Sequence, residues 1–282
     1  MAEAPPPPKL VEVRGPTALG GGFRRFFELL WLIAVNDFKK AYFGTLLGYF
    51  WSLLRPLALF AVLLFVFTRI FRIGSEVEYY PVLLLFNIVM ISFFQEATLG
   101  SVASVVNQEN LVRKTRFPRL VIPLAVVLTG LFNFGTNLIA VLIFIIAFGV
   151  PLTWTWLLFP LIVIALFVFT MAVSMLLSAL YVRFRDVGII WSVLVTAIFY
   201  ATPVLYPIEI VPSQYVDWIM ANPLTPIFEQ ARHWVIDPGA PGAVSAAGGV
   251  TGLLPAALIY VAVCVAAVIV FRREAPRIAE EL

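Results

Sequence analysis

Leu120–Val182 reads LVIPLAVVLTGLFNFGTNLIAVLIFIIAFGVPLTWTWLLFPLIVIALFVFTMAVSMLLSALYV, and no residue between Arg119 and Arg183 carries a charge. About 20 apolar residues cross a bilayer as a helix. The run is far too long for one crossing and suits a hairpin of two. Gly149-Val150-Pro151 supplies the break, and Trp154 and Trp156 supply an interfacial anchor just after it. The predicted spans are 120–148 and 154–180.

The same counting extends outward in both directions. A first span covers 49–71, with Arg55-Pro56 near one end, where Arg55 snorkels to the interface. A second covers 80–100 and keeps Glu96 in its last turns. A fifth covers 187–206, and a sixth covers 254–271 and ends at Arg272-Arg273. The expected fold class is an all-α integral membrane protein of six transmembrane helices. Composition agrees: 62% of the residues are apolar and 12% charged, against about 25% charged in a soluble domain. Only lipid can cover so much apolar surface.

Residues 1–22 are rich in proline and glycine and read as a flexible cytoplasmic N-terminus. They hold the run Pro5–Pro8 and no apolar core of a signal peptide, so the first spans are expected to do the targeting. Residues 23–40 mix Arg24, Arg25, Glu28, Asp37, Lys39 and Lys40 with Phe23, Phe26, Phe27, Leu30, Trp31 and Ile33. That pattern suits an amphipathic helix lying in the membrane interface, or an ordinary cytoplasmic helix. Residues 207–252 hold Trp218, Trp234 and six prolines. They are too broken to span and too apolar for a free loop, so short re-entrant helices are expected there. Residues 273–282 form a tail.

Lysine and arginine set the orientation. With both termini cytoplasmic, every basic residue except Arg69, Arg72 and Arg232 falls inside. The reversed topology would put the basic clusters outside.

Candidates for catalysis are few. There is no Walker phosphate loop, since Gly20-Gly21-Gly22 lacks the lysine and a preceding strand. His233 is the single histidine and Cys264 the single cysteine, which leaves no metal set and no disulfide framework within the chain. No carboxylate lies at mid-span, where a proton- or sodium-coupled carrier would keep one. The net charge of +3 gives no sign of nucleic acid as a partner.

Two short segments between spans are more informative. In Asn107–Pro123 the basic residues Arg113, Lys114, Arg116 and Arg119 surround Leu111, Val112 and Phe117. A short helix there could offer Leu111 and Phe117 to a partner's groove, or the charges could simply mark a cytoplasmic loop. The second segment is Tyr181–Asp186, where Arg183, Arg185 and Asp186 could pair across the turn or dock a cytoplasmic protein. Aromatic rings that could pack on sugar faces include Phe60, Phe67 and Phe71 on the first span and Phe199, Tyr200 and Tyr206 on the fifth. Lipid-facing or interhelical packing is the alternative for each ring.

Four motifs in order carry a resemblance over essentially the whole chain. They are FGTLLGYFWSLLRPL at Phe43–Leu57, NLVRKTRFPR at Asn110–Arg119, YVRFRD at Tyr181–Asp186 and ATPVLYP at Ala201–Pro207. Together they resemble the polysaccharide-exporting permeases of the ABC superfamily, the Wzm type. The resemblance implies a homodimer in the inner membrane, with two copies of a cytoplasmic ABC ATPase docked below and ATP and Mg bound on that partner. It implies a lipid-linked polysaccharide as substrate, met at residues 23–40 with Arg24 and Arg25 as pyrophosphate contacts and with Trp31 and Arg55 nearby. It implies ATPase coupling through Asn110, Leu111, Val112, Arg113, Lys114, Arg116 and Phe117, joined by Arg183, Arg185 and Asp186. It also implies a channel at the dimer axis, lined by the first and fifth spans. The Ala-, Pro- and Val-rich composition looks like that of actinobacterial members that export a lipid-linked galactan. Rival readings are an ABC permease for drugs or small lipids, an integral-membrane enzyme acting on lipid-linked substrates, and a structural scaffold.

Overall fold

The computed structural model describes residues 22–42, 48, 50–71, 77–108 and 118–274. Among these the chain is helical and contains no strand. Helix α1 is Gly22–Tyr42 and α2 is Phe50–Phe65, prolonged by a π-helical turn at Val66–Ile70. Next come α3, Tyr80–Val102, and α4, Val121–Ala147. A 3-10 turn at Trp154–Leu158 leads into α5, Phe159–Arg183, and α6 is Asp186–Ala201. Two short helices follow, α7 at Ser213–Met220 and α8 at Leu224–Val235, before α9 at Leu254–Glu274.

Five of the described helical segments are long and apolar enough to cross a bilayer: Phe50–Ile70, Tyr80–Val102, Val121–Ala147, Trp154–Arg183 and Val250–Glu274. Helix α6 is apolar but shorter. The sequence boundary for that span lay at Tyr206, whereas the helix ends at Ala201. Pro203 is the reason, because it pushes the preceding residue out of the helical region, and Thr202 is extended at φ −96°, ψ 143°. The α4–α5 break is a turn in which Gly149 sits at φ +68°, a conformation glycine adopts without a Cβ penalty.

Helix α3 is the hub. It is apolar over most of its circumference, the mark of a helix enclosed by others, and 78% of its most apolar window is buried. It packs on α2, α4, α5 and α6. Phe94 stacks on Phe169 of α5, and Phe169 stacks in turn on Tyr260 of α9, with centroids 5.9 and 5.1 Å apart. At the α3–α4 crossing a Cβ on Gly130 would lie 3.3 Å from that of Ala97, so the two backbones approach closely. At the periphery the balance reverses. Only 11% of the corresponding windows of α2 and α9 are buried, and both show rows of exposed aliphatic side chains.

Helix α1 lies against α4. Leu30 and Ala34 are buried with Val121, Leu124 and Ala125, and Trp31 and Phe38 each meet the edge of Phe132. Phe27, Trp31 and Leu32 keep broad exposed surfaces. One end of the bundle is covered by residues 203–253 and is called the cap end. The other carries the Arg183–Asp186 turn and is called the basic end.

Candidate functional site

Asn110, Leu111, Val112, Arg113, Lys114, Arg116 and Phe117 lie outside the described residues. The segment they belong to starts from α3 through a short helix, Ser104–Asn107, whose Ser104 and Val105 are buried. At the neighbouring α5–α6 turn, Arg183, Phe184, Arg185 and Asp186 are all exposed. The two arginines do not pair with Asp186. Arg183 lies over the Phe184 ring at 5.2 Å and Arg185 over the Tyr181 ring at 5.1 Å, within reach of cation–π attraction. The turn is tight because α6 starts close against α5: a Cβ on Gly188 would meet Tyr181 at 3.1 Å.

The residues expected around a lipid-linked substrate divide into two groups. Arg24 and Arg25 are exposed near the start of α1, where Arg24 donates to Glu28 at 2.9 Å. Arg55 lies on α2, 3.7 Å from Glu96 of α3. Glu96 in turn lines a recess of about 220 Å³ with Asp37, Thr129 and Asn133. Asp37 is near the far end of α1, and at a rise of 1.5 Å per residue the two groups stand about 20 Å apart. Burial pushes the Asp37 carboxyl above the ordinary range, and Lys40 partly offsets this. Trp31 sits between the groups, more than half exposed, with one ring edge on Phe132.

The aromatic candidates separate by orientation. Phe60 is buried, with its ring edge-on to Phe144 of α4 at 5.3 Å, and Phe199 is buried beside Tyr200. Both belong to the packing of the chain itself. Phe67 is half-buried against Phe71. Phe71 and Tyr200 are each 62% exposed, and Tyr206 donates to the Tyr200 carbonyl at 3.1 Å. Phe67 and Phe71 keep their rings together, 5.5 Å apart, although the chain there is π-helical and Phe71 N–H bonds Val66 O, five residues back. A feature missed from the sequence stands on α6. Ser192, Thr196 and Tyr200, four residues apart, are all exposed and form a polar stripe on an otherwise apolar outward face. The i, i+4 spacing was there to be read.

At the cap end the residues near Arg232 prove to be partners. Its Nη1 donates to Glu209 Oε2 at 2.7 Å, with Glu229 Oε2 and Asp237 Oδ2 each 3.7 Å from the guanidinium. Arg232 and Glu229 are buried. Burial pushes the Glu229 carboxyl up to about 8 against the pull of Arg232, and Glu209 adds to the rise. His233 Nδ1 lies 2.7 Å from the Ala240 carbonyl; a carbonyl only accepts, so this nitrogen carries the proton. Among the described residues no group of three His, Cys, Asp or Glu side chains could hold a metal ion.

The chain matches the ABC-2 type transporter family over residues 28–235, from within α1 to the last residue of α8. The O-antigen export system permease protein RfbA of Klebsiella pneumoniae is 32% identical over 201 residues, which cover 70% of this chain and 76% of that protein. The protein of the same name from Myxococcus xanthus is 33% identical over 186 residues, covering 66% and 71%. With most of its length matched to one family, from α1 through the bundle to the cap, this chain belongs to the ABC-2 type transporters.

Proposed function

We propose that the chain is the permease subunit of an ATP-driven exporter that moves a lipid-linked cell-surface polysaccharide out across the inner membrane. The observation that carries this is the family match over residues 28–235 together with relatives named as O-antigen export permeases. The sequence has no phosphate-binding loop, so ATP and Mg²⁺ belong to a separate ATPase, two copies of which serve a homodimer of this chain. Both termini are cytoplasmic by the distribution of lysine and arginine. The basic end then faces the ATPase, which docks on Asn110–Phe117 and on the exposed Arg183, Arg185 and Asp186. The differential affinity of the ATPase states for these two segments supplies the work.

Two features of the outward surface support a hydrophilic cargo. Exposed Phe71 and Tyr200 offer flat rings to sugar C–H faces, and Ser192 and Thr196 offer hydroxyls on the same helix as Tyr200. At the basic end Arg55 reaches Glu96 of the Asp37–Glu96 recess, Trp31 lies partway along α1, and Arg24 and Arg25 mark the far end of α1, where the pyrophosphate would first be met.

The test is reconstitution of the permease with its ATPase in proteoliposomes. ATP-dependent delivery of a labelled lipid-linked glycan to the lumen is the expected result. Transfer of a labelled phospholipid without any glycan would overturn the substrate assignment. Replacing Leu111 and Phe117 by asparagine should lower export at least about tenfold, a barrier change of about 1.4 kcal/mol, with the ATPase still docked. Export at the normal rate would remove these two side chains from the coupling surface.

A further inference from the structure

Helix α3 is the most enclosed element, yet it carries polar side chains on one face. Tyr80, Asn87 and Thr98 fall within about 20° of one another at 100° per residue, and Gln95 lies about 60° from Tyr80. Each reaches α6 or the turn that follows it. Starting from the basic end, Trp191 Nε1 donates to Thr98 Oγ1 at 3.1 Å, and Gln95 Nε2 donates to the Val195 carbonyl at 3.3 Å. Towards the cap, Asn87 Nδ2 lies 3.1 Å from Pro203 O and 3.3 Å from Val204 O, and Tyr80 Oη donates to Leu205 O at 2.8 Å. The order is antiparallel and spans about 27 Å, nearly the whole of α3. Tyr80, Asn87, Thr98 and Trp191 are buried. Gln95 is part-buried, and for the buried members losing a bond leaves a polar group unpaired.

The ladder continues into the cap. Asn222 Nδ2 donates to Thr202 Oγ1 at 2.8 Å, and Asn222 Oδ1 accepts from the N–H of Leu224, the first residue of α8. At its other end α3 passes through Ser104–Asn107 into the segment assigned to the ATPase.

We propose that Tyr80, Asn87, Gln95 and Thr98 lock α6 and the 202–205 turn to α3, so that movement imposed on the segment after α3 reaches the cap as the motion of one rigid unit. These are positioning residues, and the inference rests on the exporter reading for the source of that movement. Helix α6 has few other ties to its own chain: it packs on α3 and α5 and exposes the rest. A helix held by packing alone could slide along α3 by the 1–2 Å typical of interface helices, or ratchet by about one turn. Side-chain bonds from these four residues, two reaching α6 itself and the others the turn after it, resist both movements.

Spin labels at Leu99 of α3 and Ile190 of α6 test this, because both positions are exposed. The background is Cys264→Ala, and the complex is diluted so that one protomer carries label. Between the nucleotide-free and vanadate-trapped states the Leu99–Ile190 distance should change by less than about 1 Å, below the slide of an unlocked helix. A shift of about 1–2 Å or more, up to the roughly 5.4 Å of one helical turn, would overturn the proposal. In a second arm, Asn87→Leu, Gln95→Leu and Trp191→Phe are combined. Glycan exported per ATP hydrolysed should fall at least about tenfold with hydrolysis within about twofold of normal, a ratio that a merely structural role would not move. Export per ATP within about twofold of normal would also overturn it. If that variant fails to assemble, the labelled distance in the otherwise native chain decides. An unsubstituted complex that keeps the distance fixed but moves no glycan counts against the exporter's assigned cargo and leaves the α3–α6 unit standing.

Discussion

Arg232→Met should be among the most damaging substitutions at the cap end. It removes one guanidinium from three carboxylates while keeping a long side chain. The Arg232 side chain is 6% exposed and that of Glu229 is 3%, so neither can turn to water, whereas Glu209 is 41% exposed and can. Breaking a buried ion pair from one side costs about 3–5 kcal/mol. Glu229, pushed up to about 8 by burial, is largely protonated at neutral pH, which lessens the charge left stranded. The lower end, about 3 kcal/mol, follows. The sign with pH is also fixed. A carboxyl whose folded pKa is raised binds a proton that the unfolded chain gives up near pH 4.5. Its contribution is fully present below that value and is lost as pH rises to about 8. Without Arg232 the Glu229 carboxyl rises further. The cost of the substitution should then stay level up to about pH 8 and grow above it by about 1.4 kcal/mol per unit. Thermal unfolding in detergent, followed by tryptophan fluorescence from pH 5 to about 9.5, measures this; about 3 kcal/mol corresponds to a midpoint lowered by roughly 6–12 °C. Glu229→Gln in the same background should restore part of the loss and flatten the pH dependence. A change under about 0.5 kcal/mol at every pH, the range of ordinary surface substitutions, would refute the account of a buried charge cluster pinning the cap.

Two further outcomes follow from the geometry. Gly252→Ala should lower stability and yield, because its Cβ would stand 1.9 Å from the backbone oxygen of Ala247 and no side chain can yield there; unchanged thermal unfolding would show that the 247–252 turn relaxes freely. Replacing Ser192 by alanine together with Thr196 by valine should reduce glycan export several-fold with assembly and ATP hydrolysis intact, since loss of a hydrogen bond is worth about 0.5–1.5 kcal/mol; unchanged export would place the stripe outside the path of the cargo.

The membrane class and the α4–α5 hairpin were legible because they depend on one-dimensional quantities, the length of a charge-free run and a Gly-Val-Pro break. What escaped depended on a local change of helix type, the π-helical turn at Val66–Ile70, or on pairing across the chain. Arg55, Glu96 and Asp37 come from three helices, so no window of sequence joins them. Arg55 and Glu96 were each placed near the same end of their spans, however, and their proximity could have been inferred. The polar face of α3 was equally readable. Tyr80, Asn87, Gln95 and Thr98 recur along one side of a helix that is apolar elsewhere, and in a bilayer such a side requires partners. The sequence had no means of saying which helix supplied them.

The outward faces of α6 and α9 argue for different surroundings. In hydrocarbon, two apolar faces gain little by meeting each other, since lipid tails solvate them as well. Helix α9 presents Leu254, Leu258, Val261, Val265, Val268 and Ile269, all exposed and all aliphatic. Lipid satisfies that surface. Helix α6 exposes Ile189, Ile190 and Val193 as well, but also Ser192, Thr196 and Tyr200. The Ser192 and Thr196 hydroxyls donate back to the carbonyls of Ile189 and Ser192, so their protons are placed while their lone pairs stay open. An oxygen with free lone pairs gains from a donor, which lipid tails do not have and which water, a sugar hydroxyl or a second copy of the chain does. The asymmetry in packing leads to the same place: α3 holds α6 by side-chain bonds at Trp191 and Val195 and holds the turn after it at residues 203–205, while α9 packs on α5 with the Tyr260–Ala165 bond. Of these two outward faces, the one that must be positioned accurately is the one that carries the polar atoms.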